Sequence, residues 1–219
     1  MGGEMLDPDG KLIADQKILA ESLQWLADLV HKYKITPPAV TTWKEAESQA
    51  IFLEGKAVFH RGWPSVYSHA QNPSTSKVVD DVGIVPMVHA PGQKSAATLG
   101  TWNLSISRYT KHPQEAWEVI KFMTSHEAQK IKALMGGNPP ARRSVYTDAE
   151  VLQMYPHFGQ FYDVFIGALP RPVTPAYPQM SVEAIQPPIA AVLAGTMTSE
   201  AAAADMLKGM QKILDRAQR

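Results

Sequence analysis

The chain contains no cysteine, which excludes disulfides, thiolate metal sites and cysteine nucleophiles without assigning a compartment. It also lacks charge of a dominant sign: 21 basic and 21 acidic side chains cancel, and the pI is near 7.1. Nucleic acid needs a basic face, and no basic cluster larger than Arg142-Arg143 occurs, so nucleic acid is not an expected partner. No apolar run reaches the roughly 18 residues of a membrane-spanning helix. The opening MGGEMLDPDGK has no apolar core of a signal peptide and reads as turn-rich chain that begins in mid-fold. The glycine-rich phosphate loops G-x-x-x-x-G-K-[ST] and G-x-G-x-x-G are absent, as are H-E-x-x-H and G-x-S-x-G. No cofactor and no metal are therefore expected.

What is present is ordinary globular composition. Hydrophobic residues make up 45% and charged residues 19% of 219 positions, enough for one large domain or two small ones. Ile18, Leu19, Leu23, Leu26, Leu29 and Val30 recur at helical spacing after Asp15, and ITPP at 35–38 stops that helix. Thr42 with Glu45 forms a capping-box pattern for a helix through Glu54, closed by Gly55. AVFHRGW at 57–63, VGIVPM at 82–87 and the stretch from Trp102 to Ser107 read as strands. Pro64 can open a short helix. Pro113 and Ser125 open helices, the second running to about Met135, and GGNPPARR breaks the chain after it. Another helix is predicted from Asp148 to about Tyr155, and one more to Leu193, bent at Pro187-Pro188. Thr198 or Ser199 caps the last. Helices alternating with short apolar strands indicate an α/β fold.

Little of this composes a reaction centre. STSK at 74–77 matches S-x-x-K without that motif's companions. Asn103-Leu104-Ser105 matches a glycosylation acceptor inside a predicted strand, and we read it as coincidence. His60 is assigned a structural or solvated role, and Asp80-Asp81 a turn. Trp25 and Trp117 lie on helix faces and are assigned to the core. Trp63 and Trp102 differ, because each falls where a loop meets a strand end, the place where open α/β folds bind ligands. A flat indole covers the apolar C–H face of a sugar ring. Gly100, without a side chain, admits a close approach of backbone.

FLEGKAVFHRGWPSVY at 52–67 and AATLGTWNLSISRYTKHPQEAWEVIKFMTSHEAQ at 96–129 resemble two signatures of the bacterial extracytoplasmic solute-binding proteins of carbohydrate ABC transporters. PRPVTPAYPQMS and VLAGTMTSEAAAADM resemble the C-terminal end of the trehalose/maltose-type subgroup. Thr101 stands where that family usually has a second glycine. The resemblance implies a two-lobed, periplasmic-binding-protein-like (type II) α/β fold, present here only in part, as its C-terminal half. It implies that residues 1–99 belong to the second lobe, 100–103 cross between lobes, 104–155 belong to the first, and 156–219 complete the second. It also implies capture of a sugar, an α-linked disaccharide or short oligosaccharide, without catalysis. The sugar would be delivered to ABC permease subunits outside the cytoplasmic membrane. Trp63 and Trp102 would stack on sugar, Gly100 and Thr101 would offer backbone, and Arg171 would donate to hydroxyls, with Tyr67 and Tyr177 nearby.

Two alternatives remain open from the residues. A carbohydrate hydrolase needs two carboxylates about 5–10 Å apart across the site, and no acidic residue lies beside Trp63, Trp102 or Arg171 in sequence. A structural or regulatory fragment would act by pairing with a missing N-terminal half or with itself.

Overall fold

The structure, a computed structural model, describes residues 2–217. Its helical elements run in the order α1 (Gln16–His31), α2 (Glu45–Leu53), α3 (Val66–Ala70), α4 (Pro113–Met123), α5 (His126–Gly136), α6 (Arg143–Tyr146), α7 (Ala149–Met154), α8 (Phe158–Ile166), α9 (Tyr177–Gln179), α10 (Gln186–Leu193) and α11 (Ser199–Ala217). Two compact units form. One comprises Met1–Lys44, His89–Lys94 and Pro170–Arg219; the other comprises Glu45–Val88 and Ser95–Leu169.

The first unit is built on α1 and α11. Asp15 caps α1 by accepting from the Ile18 amide at 2.9 Å. Leu23, Ala27 and Val30 turn inward from α1, and Ala202, Ala203, Met206, Met210, Ile213 and Leu214 from α11. Between α9 and α10 the chain makes a wide π-turn over Met180–Ile185. Pro187 and Pro188 have no N–H, so two bonds of the regular helical ladder cannot form; the Gln186 amide reaches five residues back to the Ser181 carbonyl instead. Gly209 on α11 faces this turn, where a Cβ would stand 2.8 Å from Ala184 Cβ.

The second unit centres on an aromatic cluster. Val145, Tyr146, Val151, Phe158 and Phe161 are buried together with Ala133 of α5. Ser125 caps α5 through the Ala128 amide at 3.2 Å, and Asp148 caps α7 through the Glu150 and Val151 amides. Gly137 ends α5 in the left-handed region, φ 60°, where a Cβ would run into Ser68 Oγ. The Tyr146 hydroxyl donates to the Pro140 carbonyl at 2.7 Å, and burial holds its proton well above the usual phenol range.

Three sequence expectations are corrected. Thr42 and Glu45 do not form a capping box: Thr42 Oγ1 donates back to the Ala39 carbonyl, and the Glu45 carboxylate turns to another partner. Trp25 and Trp117 are 43% and 49% exposed rather than in the core. The predicted strands at 57–63, 82–87 and 102–107 are irregular chain without a pairing partner among the described residues. Among the described residues no strand ladder forms, only isolated bridges at Leu6–Leu12 and Thr98–Leu169. A strand exists by virtue of a neighbour that takes its backbone hydrogen bonds, and these segments meet none.

Candidate functional site

Trp63 is held from two sides. On α2, Glu45, Ser48, Gln49 and Phe52 share a face at spacings of three, four and seven, and that face meets the segment from His60 to His69. The Trp63 indole N–H donates to Glu45 Oε1 at 2.7 Å. Ser48 Oγ lies 3.4 Å from His60 Nδ1, and Gln49 Nε2 lies 2.6 Å from His69 Nδ1. Phe52 stacks on the His60 ring at 5.4 Å. Burial first, then the neighbouring Arg61 charge, lowers the His60 pKa. His60 is therefore a packed, structural histidine, as its sequence context indicates.

The far edge of the Trp63 ring lies against Gly100. A Cβ at position 100 would stand 2.6 Å from Trp63 Cη2 and 2.7 Å from Cζ3. The backbone leading into Gly100 is fixed, because the Leu99 amide donates to the Leu169 carbonyl and the Leu169 amide to the Ala97 carbonyl, both at 2.8 Å. Thr101 Oγ1 donates to the Trp102 carbonyl at 3.3 Å. The Trp102 side chain is 100% exposed. A chain of two residues spans at most about 7 Å, so Trp102 stands close to the Trp63–Gly100 contact.

The other expected residues lie elsewhere. Tyr67, on α3, packs against His157 with ring centroids 4.0 Å apart and the planes tilted by 44°. His157 is 7% exposed and also meets Tyr155, Phe158 and Phe161. Neither of its ring nitrogens has a hydrogen-bond partner among the described residues, and burial lowers its pKa to about 4. Tyr67 is thus tied into the aromatic core. Arg171 and Tyr177 belong to the other compact unit, Arg171 exposed and Tyr177 opening α9.

Two hollows are lined by none of the expected site residues. One, about 420 Å³, runs between α4 and α5 along Phe122, Ile131 and Met135; the other, about 260 Å³, lies beside Phe52, Val58 and Val82. Among the described residues no group of three or more His, Asp or Glu side chains is placed to hold a metal ion. No described helix is long and apolar enough to cross a membrane. Sequence reasoning missed Glu45, whose indole contact spans 18 residues; its position at the start of a helix disguised it as a cap.

Comparison with known proteins adds to this geometry. Residues 2–160 match the family model described as bacterial extracellular solute-binding protein. A probable ABC transporter-binding protein of Deinococcus radiodurans is 35% identical over 173 residues, which is 79% of this chain and 40% of that protein. Maltose-bound MalE3 of T. maritima is 37% identical with a TM-score of 0.90, over 96% of this chain and 54% of that one. A solute-binding protein of Thermotoga lettingae bound with α-D-tagatose is 26% identical with a TM-score of 0.81, over 97% and 53%. The chain thus spans about half the length of the proteins it resembles, and its fold is part of their two-lobed architecture.

Proposed function

The chain belongs to the family of bacterial extracellular solute-binding proteins, and from that premise we propose that it serves the non-catalytic capture of a sugar for handover to ABC permease subunits. The ligand class is an α-linked disaccharide or short oligosaccharide, and the place of action is outside the cytoplasmic membrane. The observation that carries this reading is the pair of indoles in one unit: Trp63 laid on the Gly100 backbone, with the fully exposed Trp102 two residues beyond. Likeness to maltose-bound MalE3 supports the ligand class. Each indole would contribute roughly 0.5–1.5 kcal/mol of stacking beyond burial. Thr101, Arg171, Tyr67 and Tyr177 are proposed as further contacts. A tryptophan-fluorescence titration with maltose, trehalose, sucrose and a monosaccharide control tests the reading. A saturable, sugar-selective change that Trp102→Ala abolishes with an unchanged far-UV spectrum is expected. Wild-type affinity in Trp102→Ala would refute the role of that indole.

We also propose that residues 1–99 and 156–219 belong to one lobe, 100–103 cross between lobes, and 104–155 belong to the other. Sugar-dependent hydrogen-exchange protection at 100–103 is the expected sign, and protection confined to other segments refutes it.

A second reading concerns partners. Among the described residues, no backbone bond to another backbone group is made by 57–62, 82–88 or 101–106. Phe59 is 86% exposed, and α4 has no buried residue despite an amphipathic sequence. Such edges recruit strands. The chain is therefore proposed to pair with a polypeptide supplying the rest of the family fold, or with itself. Light scattering after size exclusion should find self-association in the isolated chain; a monodisperse monomer at high concentration would remove self-pairing.

A further inference from the structure

An indole has one polar atom, a single N–H donor. In an exposed sugar platform that donor is expected to meet water or a ligand hydroxyl. Here it is spent on Glu45 Oε1 at 2.7 Å, a charge-assisted bond. The two ends of the ring are therefore fixed differently. The five-membered end is tied by Glu45, and the six-membered end rests on the one residue that admits it, Gly100. Trp63 remains 43% exposed between these two restraints.

We propose that Glu45 is a positioning residue for sugar binding, acting through Trp63; this rests on the reading of Trp63 as a sugar platform. Glu45 is itself well anchored. It is the first residue of α2, where a negative charge is favoured by the helix dipole. One turn on, Ser48 and Gln49 reach His60 and His69, so α2 and the 60–69 segment move as one piece. The carboxylate thus sets the plane of the indole before any ligand arrives, and a fixed platform loses less ordering entropy on binding. A chemical consequence follows for the ligand. The indole N–H is occupied, so Trp63 recognises only an apolar C–H face.

The test compares Glu45→Ala and Glu45→Gln in the full chain, with maltose as the probe and the Trp63 Nε1–H resonance, assigned with Trp63→Phe, as a sugar-independent readout. Glu45→Ala should move that resonance in the absence of sugar and weaken maltose binding by about three- to tenfold. Glu45→Gln, which keeps an acceptor oxygen, should restore most of both. In a Trp63→Ala background, Glu45→Ala should have no further effect on affinity. An unmoved resonance in Glu45→Ala overturns the proposal. So does a full loss with Glu45→Gln, or an undiminished effect in the Trp63→Ala background, since either assigns Glu45 a direct role toward the ligand. Failure of the sugar reading is separate: wild type would then give no maltose response, while the resonance still decides whether Glu45 fixes the ring.

Discussion

The His157 ring sits in a pocket of aromatic rings with no hydrogen-bond partner for either nitrogen among the described residues, and acid should expose it. Tyr67, Tyr155, Phe158 and Phe161 surround the ring, and both nitrogens are without partners among the described residues. Burial disfavours the imidazolium and lowers the pKa from 6.5 to about 4. The unfolded chain takes up the proton at the ordinary value, near 6.5, whereas the folded chain resists it until about 4. Between those values the unfolded state binds more protons, so stability falls as pH falls through that window and levels off below it. At about 1.36 kcal/mol per pH unit, the loss is about 3 kcal/mol. Urea unfolding followed by far-UV circular dichroism at pH 7.5, 5.5 and 4 measures it, for wild type against His157→Phe. Other titrating groups are common to both proteins and cancel in the difference. The variant should match or exceed wild type at pH 7.5, because an orphaned polar ring is replaced by an apolar one. Its margin should then grow by about 3 kcal/mol toward pH 4. Stability profiles that run parallel from pH 7.5 to 4 would refute the reasoning, with His157→Leu guarding against overpacking by the larger ring.

Two glycines on helices should respond oppositely. Gly209→Val drives a branched side chain into Ala184, whose Cβ lies 2.8 Å from the modest Cβ of even an alanine, and should cost at least about 2 kcal/mol in urea unfolding. Gly159, near the start of α8, has nothing within 4 Å of an added Cβ, and Gly159→Ala should stabilise by up to about 1 kcal/mol; a loss of stability there would contradict the open space. Ser125→Ala removes the cap of α5 and should cost about 1 kcal/mol, checked by the same urea midpoint.

How much was legible depends on how far apart the interacting groups are in the chain. Asp15, Ser125 and Asp148 cap helices in the structure as their sequence context predicts, because a cap bonds only two or three residues away. Pro113 opens α4 for the same local reason. Glu45 defeats this logic: its residue type and position fit a cap, but a partner 18 residues on outcompetes the adjacent amides. The segments 57–63, 82–87 and 102–107 carry the residue types of strands, but no ladder forms there among the described residues, since pairing is a property of the neighbour. Trp117 was misplaced because a helix has an apolar face whether or not something covers it, and nothing among the described residues buries any side chain of α4. The platform at Trp63 was legible by residue type. Its contact with Gly100 was not, because it depends on how the 97–100 segment is tied to Leu169.

The wide turn over Met180–Ile185 has a geometric role beyond accommodating two prolines. Met180, Ala184, Pro188 and Val192 are all buried, a strict four-residue recurrence across three successive intervals. A regular α-helix rotates about 100° per residue, so every fourth side chain drifts about 40° around the axis, and three intervals would carry the last one well off the starting face. A turn that takes more residues to close rotates less at each step and winds that drift back. The π-turn is thus a phase correction, keeping one azimuth toward α11 over a length that a uniform helix could not hold. Deleting a single residue from it would leave Met180 in register and swing Pro188 and Val192 toward solvent.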